Sequence, residues 1–371
     1  MSFSLTQAER DRVAAAAALG IHLDPIGRKD LALVVVISAV YGVDLVAVGF
    51  LLWHRNWPPL KSKSPLLMAA GYVACVCWFV GDLQINGHVH LRGTALEACK
   101  GIGVWVRVLL GVCAVSALIA MRSYGLFRVF CLGQPYRGRA VLVPAAVYCA
   151  CALVCGIVAQ ALSPAVTVEY IPALDTCYCP KPFRAALYGC IWATWATILG
   201  INWRIRHIKT TFNEWREMAF SCLVVFAILT FSTVLQFARP DYPFSQTLRL
   251  LTTYMDHLGT NLVWWAIMGA PLFHCLVDRA AYLEEWTARL RRDGLQNEYQ
   301  IPVTVTFCSE DVFFDHPPVP PEAACSPQTT AISTRRSSRS YDPKDPFDIP
   351  PAHPLPPRPP STYQNDPFQR P

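Results

Sequence analysis

Seven apolar runs of about 20 residues recur along this chain, and they limit what it can fold into more than any motif does. They cover residues 31–53, 65–86, 101–121, 140–162, 184–203, 218–238 and 250–274. Each is long enough for a helix to cross a hydrocarbon core about 30 Å thick. Of the 371 residues, 53% are hydrophobic and 16% charged, whereas soluble domains carry about 25% charged residues. Length alone would suggest two or three soluble domains. The clustering of the apolar residues overrides that reading and predicts an all-α integral membrane protein, a seven-transmembrane helix bundle.

The charges between the runs give the bundle a direction. The first loop carries Arg55, Lys61 and Lys63, and the third carries Arg122, Arg128, Arg137 and Arg139. The fifth carries Arg204, Arg206, His207 and Lys209, and Arg279, Arg289, Arg291 and Arg292 follow the seventh run. The even loops are near neutral: Arg92 and Lys100 against Glu97, Lys181 against Glu169 and Asp175, Arg239 and Arg249 against Asp241. Cationic loops stay on the cytoplasmic side. The N-terminus is therefore expected outside and the C-terminus inside, in a multi-pass plasma-membrane protein. That arrangement requires an odd number of spans, and the count of seven agrees with it. The net charge of +6 sits in these short loops and the tail. No basic patch interleaved with aromatics occurs, so the charge does not point to nucleic acid.

The flanks differ from the bundle. Residues 1–30 read as an extracellular N-terminal segment without a cleavable leader, and the first run is expected to act as the signal anchor. Residues 5–20 can form a short helix stopped by Gly20 and Pro25, in a segment expected to be only partly ordered. Residues 31–274 form the seven-helix domain. In 275–292, Leu276, Ala280, Leu283, Trp286 or Thr287, and Leu290 recur at helical spacing, with Asp278, Arg279, Glu284, Glu285, Arg289 and Arg292 opposite. This predicts a short amphipathic surface helix lying on membrane lipids at the inner leaflet, with Cys275 at its start as a candidate palmitoylation site.

Residues 293–371 are rich in Pro, Ser, Asp and Arg, cannot bury a core, and predict a disordered cytoplasmic tail. Within the tail, Ser337, Ser338 and Ser340 lie among arginines as a basophilic kinase would read them. The run Pro350 to Pro360 favours polyproline II and suits a proline-reading domain. Asp345-Pro346-Phe347 and Asp366-Pro367-Phe368 resemble peptides that bind endocytic adaptors.

Few ionisable groups lie inside the runs, and each is costly there. Asp44 is midway along the first run. Asp82 is near the outer end of the second, Arg107 lies inside the outer part of the third, and Asp256 and His257 inside that of the seventh. With the orientation above, Asp82, Arg107, Asp256 and His257 share the outer third of the bundle. An unpaired arginine there would be expensive, so Arg107 is expected to pair with Asp82 or Asp256. The four form either the polar floor of a pocket for an extracellular ligand or an interhelical network that fixes packing.

Most of the fifteen cysteines lie inside apolar runs, as small buried hydrophobes. Cys99, at the outer start of the third run, and Cys177 and Cys179, in the fourth loop, face an oxidising compartment. They predict a disulfide from Cys99 to Cys177 or Cys179.

Enzyme readings find little support. His88, His90, Asp82, Asp256 and His257 are the candidates for a metal hydrolase of the seven-helix membrane kind. No H-E-x-x-H spacing occurs, and adjacent Asp256 and His257 point about 100° apart on a helix. No nucleophile elbow or phosphate-binding glycine loop is present, and no cofactor or metal is expected. No internal repeat or pair of broken helices suggests a transporter.

Two segments carry a resemblance. Thr211-Phe212-Asn213-Glu214-Trp215-Arg216-Glu217 resembles the F-N-[DE]-x-[KR] segment that opens helix 6 of class C G-protein-coupled receptors. Met121-Arg122-Ser123-Tyr124-Gly125-Leu126-Phe127-Arg128-Val129-Phe130 resembles the basic segment that closes helix 3 there. Over residues 31–292 the chain is similar to the fungal seven-transmembrane receptors whose relatives carry a regulator-of-G-protein-signalling domain in the tail.

The resemblance implies a receptor that passes an extracellular signal to a heterotrimeric G protein. It implies Arg122 as the inner cation of helix 3 and Glu214 as its partner, a switch pair that opens when ligand binds. Arg204, Arg206, Lys209 and Arg216 are the candidate G-protein contact. Residues 1–30 hold no large ligand-binding domain, and the tail is too short and proline-rich for a regulator domain, so neither is expected. A membrane scaffold of the same fold, recruiting partners through its proline-rich tail, is the alternative.

Overall fold

Each apolar run closes its backbone hydrogen bonds within itself as a helix, and the helices approach most closely where a residue lacks a side chain. The structure is a computed structural model that describes residues 6–132, 134, 136, 138–205 and 214–292, with only the backbone of Phe130, Glu214, Trp215 and Arg292. The tail, including Ser337, Ser338, Ser340, the proline run and both Asp-Pro-Phe segments, lies outside the described residues, as do Arg206 and Lys209.

Among the described residues, seven helices are long and apolar enough to cross a membrane. Span 1 is α2 (Arg28–Trp53) and span 2 is α4 (Pro65–Ile85). Span 3 is a π-helix over Lys100–Cys113 that continues as α5 (Ala114–Phe130). Spans 4 to 7 are α6 (Arg139–Ala161), α7 (Lys181–Ile205), α8 (Glu214–Ala238) and α9 (Gln246–Val277). Short helices α1 (Gln7–Ala18), α3 (Pro58–Ser62) and α10 (Arg279–Arg292) accompany them, with one antiparallel hairpin, β1 (Glu169–Ile171) and β2 (Thr176–Tyr178). The chain is thus a helical bundle of multi-pass membrane type.

The predicted runs match these helices closely at most boundaries, and two differ in a way that matters. Span 3 continues past residue 121 to Phe130, so Arg122 and Arg128 belong to a helix and not to a loop. Span 7 begins at Gln246, which places Arg249 inside a helix although the sequence reading counted it as a loop charge.

Spans 2 and 3 touch backbone to backbone. A Cβ on Gly81 would fall 2.1 Å from the Cβ of Arg107, and one on Gly111 would fall 2.9 Å from the Cα of Trp78. Span 4 lies at the other extreme, with only 6% of its apolar window buried.

The bundle has a disulfide end and an α10 end. At the first, Cys99 is bonded to Cys177, which resolves the choice between Cys177 and Cys179 and ties span 3 to the hairpin. Helix α1 docks here and is better ordered than the sequence suggests. Thr6 caps it by accepting a hydrogen bond from Glu9 N at 3.3 Å. Arg12 donates through Nε to Leu174 O in the hairpin turn at 2.9 Å, and Glu9 accepts from Ile26 N at 2.7 Å. Ala16, Leu23 and Leu174 bury one another beneath. An Ala-rich helix of marginal intrinsic stability is held by tertiary contact.

At the α10 end, Trp57, Leu60, Met268, Leu272 and Cys275 share a core. Cys275 is buried there and does not present its thiol for acylation. Helix α10 also departs from expectation. Trp286 and Leu290 are buried in protein, Tyr282 stacks on His274 at 4.3 Å between centroids, and Arg279 lies over the Trp57 ring. Its partners are the end of span 7 and the first loop, while Leu276 remains exposed for a lipid surface.

The tie of the hairpin to span 3 gives a testable outcome. Cys177→Ser should abolish the link and lower the thermal stability of the solubilised protein by about 2–4 kcal/mol. Cys179→Ser should leave both intact. Melting curves and non-reducing peptide mapping separate the two, and the opposite ranking would contradict the pairing.

Candidate functional site

Gly81 lets span 3 come close enough for Arg107 to reach its neighbour Asp82. Asp82 has no exposed surface, so its charge needs partners on both oxygens. Arg107 donates through Nε to Oδ1 at 2.5 Å, and His257 Nε2 stands 3.0 Å from Oδ2. With a carboxylate at Nε2, the imidazole keeps its hydrogen there, leaving Nδ1 to face the Tyr41 hydroxyl at 3.0 Å. The rings of Tyr41, Trp78 and Phe79 enclose His257 edge to face. Asp256, one residue earlier, turns toward span 6, where the Ser232 hydroxyl donates to its Oδ1 at 3.1 Å.

A cavity of about 110 Å³ opens between spans 2, 3, 5, 6 and 7 beside this network, lined by Arg107, Asp256, Arg184, Tyr188 and Trp195 among other residues. Of the four residues that the sequence assigned to a pocket, Arg107 and Asp256 stand on its wall. Asp82 stands behind Arg107 and holds it, and His257 in turn holds Asp82. The sequence offered Asp82 or Asp256 as the arginine's partner, and the structure selects Asp82.

Several polar residues escaped the sequence reading. Arg184, the first residue of the fifth run, is buried. It donates to Gln236 O at 2.7 Å and Cys179 O at 2.6 Å. Arg249 and Asp30 form a fork-to-fork pair with no exposed side-chain surface, each N–O distance 2.7 Å. The same arginine donates to Asp24 O and Pro25 O, clasping the segment before span 1 onto span 7.

From Asp30 the bonds run on through His88 to Thr253, and Asn86 donates to that same Thr253. Tyr242 donates to Asn86, and the Gln236 side chain donates to Tyr242. Gln236 lines the cavity. Burial pushes the Tyr242 hydroxyl above its ordinary range, so it stays a donor. A signal existed in the sequence: Arg249, Thr253, His257 and Thr260 recur every three or four positions, the buried stripe of a helix.

At the α10 end, Arg122 donates through Nη1 to Lys63 O at 3.2 Å, and its Nη2 lies 3.8 Å from Glu217 Oε2. Lys63 Nζ reaches the same oxygen at 2.6 Å. Among the described residues, the acid beside Arg122 is Glu217, one helical turn past Glu214; the side chain of Glu214 lies outside the described residues. Arg204 and Arg216 are exposed at this end. Asp44, midway along span 1, accepts from Trp265 Nε1 at 2.8 Å. Among the described residues, no three His, Cys, Asp or Glu side chains group as a metal site. His88 is committed to Asp30 and Thr253, and His90 faces Asp175.

The two acids should respond differently to loss of charge. Asp82→Asn leaves Arg107 without its counter-ion and should cost about 3–5 kcal/mol of stability. Asp256→Asn keeps an acceptor for Ser232 and should cost well under half as much. Thermal unfolding of the two variants in one detergent tests this, and equal losses would refute the assignment of Asp82 as the structural acid. The chain matches no protein-family model and no curated protein.

Proposed function

We propose that the chain is a seven-helix receptor that couples an extracellular ligand to a cytoplasmic heterotrimeric G protein. The observation that carries this is span 3, a single helix with Arg107 at the cavity and Arg122 in an ion cluster at the other end. That cluster joins three elements, the first loop, span 3 and span 6, through Lys63, Arg122 and Glu217. A ligand on Arg107 and an ion cluster on Arg122 thus act on the same continuous span. In a two-state bundle, ligand favours the state in which span 6 separates from span 3 and the first loop. The surface so opened is cationic, with Arg204 and Arg216 exposed beside it, and suits the acidic and polar face of a G protein.

In this reading the disulfide end is extracellular, where an oxidising compartment supports the Cys99–Cys177 bond. The α10 end, with Arg204, Arg216, Arg279, Arg289 and Arg291, is cytoplasmic, and the membrane is the plasma membrane. The switch in this reading includes the Arg122–Glu217 contact; the Arg122–Glu214 pair that the resemblance implies falls on a side chain outside the described residues.

Glu217→Gln removes the carboxylate that holds Lys63 and Arg122. In nanodiscs with a purified heterotrimeric G protein, it should raise basal GTPγS loading about fivefold or more, the low end of common allosteric coupling. A variant with wild-type melting and wild-type basal loading would overturn the switch.

A further inference from the structure

We infer that the cavity between spans 2, 3, 5, 6 and 7 binds a small monocarboxylate whose apolar body is about the size of one ring. This rests on the receptor reading for what binding achieves, though not for binding itself. The first support is an excess of donors. Arg107 uses only Nε on Asp82, and among the described residues neither of its Nη nitrogens has a hydrogen-bond partner. Arg184 is 8% exposed. Its two Nη nitrogens meet neutral backbone carbonyls, and its Nε is buried with no partner. Both guanidinium groups line the same cavity. A buried donor without an acceptor is costly, and a planar carboxylate is the acceptor that guanidinium forks fit best.

The second support is the remainder of the wall. Val108, Leu187, Ile191, Trp195 and Leu229 offer apolar and aromatic surface and no further cation. A cavity of about 110 Å³ is somewhat smaller than the roughly 150 Å³ apolar cavity that accepts benzene. A single ring or a short branched chain is therefore the upper limit, and peptides, nucleotides and sugars larger than this are excluded. Asp256, held by Ser232 one helical turn from Gln236, adds no cation on its side. The carboxylate therefore belongs at Arg184 and Arg107, with the apolar body turned into the bundle.

Benzoate, benzamide and benzylamine are near-isosteric probes of this assignment. Full-length protein in nanodiscs should bind benzoate, read by calorimetry or by the fluorescence of Trp78 and Trp195 at the wall. Benzamide should bind about tenfold more weakly or worse, as expected for loss of a charge-assisted hydrogen bond. Arg184→Gln should weaken benzoate by about tenfold while leaving benzamide unchanged, and Arg184→Lys should fall between. Val112→Phe, which fills the cavity, should abolish binding of both without touching either arginine.

Benzylamine or benzamide binding as tightly as benzoate would overturn the proposal, as would no binding of benzoate. So would benzoate affinity that survives Val112→Phe. If Arg184→Gln does not fold, the amide comparison and Val112→Phe still decide. Benzoate that binds without changing GTPγS loading keeps the site and removes the receptor reading. Raised loading in Glu217→Gln with no benzoate binding keeps the receptor and removes this ligand class.

Discussion

Asp82 is a fully buried carboxylate, and the disulfide end of the bundle is arranged around keeping it charged and bonded. One oxygen belongs to Arg107 of span 3 and the other to His257 of span 7, so a single side chain fixes the mutual register of three helices. Gly81 makes this possible, since any side chain there would collide with Arg107. Apolar side chains gain little by leaving lipid for a helix neighbour. Specification in a membrane bundle therefore falls on close backbone approach and on polar pairs, and residues 81 and 82 supply one of each.

Span 7 connects the remaining polar groups. Its buried stripe runs from Arg249 through Thr253 to Asp256, His257 and Thr260, and each faces a different partner. Arg249 and Thr253 face the start of span 1 with the segment before it and the loop after span 2. His257 faces Asp82, and Asp256 faces the cavity. The docked α1, the hairpin and the Cys99–Cys177 bond close over the same end. These are non-local contacts between segments far apart in sequence, and they convert a set of independently stable helices into one arrangement.

What could be read from the sequence follows from range. Span positions depend on local apolar length, and the helices lie where the runs predict. The Arg107 pairing was legible because a lone buried charge is so unfavourable that a partner can be demanded without coordinates. Which partner was not legible, because Asp82 and Asp256 are equally acidic and differ only in the approach that Gly81 permits. Arg249 was misread as a loop charge because it sits at the edge of an apolar run, where composition cannot tell a helix start from a turn. Arg184 was hidden in the same way. Glu217 was not legible because nothing local tells which acids of the first turns of span 6 face Arg122. The Cys99 link needed only the compartment and the loop, and its choice of Cys177 needed the hairpin, whose register sets Cys177 opposite Tyr170.

The winding of span 3 is the feature that sequence periodicity could not supply. A π-helix of 14 residues is unusual, since such turns occur mostly singly and often at functional sites. Arg107 lies within it, and Arg122 lies in the α-helix that follows. The π-helix is wider than the α-helix, so each residue advances the chain less around the axis. The angle between the two arginines around span 3 therefore depends on how many residues are wound each way. Asp82 and Gly111 hold the π segment against span 2, and Lys63 and Glu217 hold the α segment against the first loop and span 6. Span 3 is thus fixed at both ends by ion pairs with a change of helical pitch between them. A rotation at one end has no slack loop to absorb it and must appear as a change of winding or as motion at the other end.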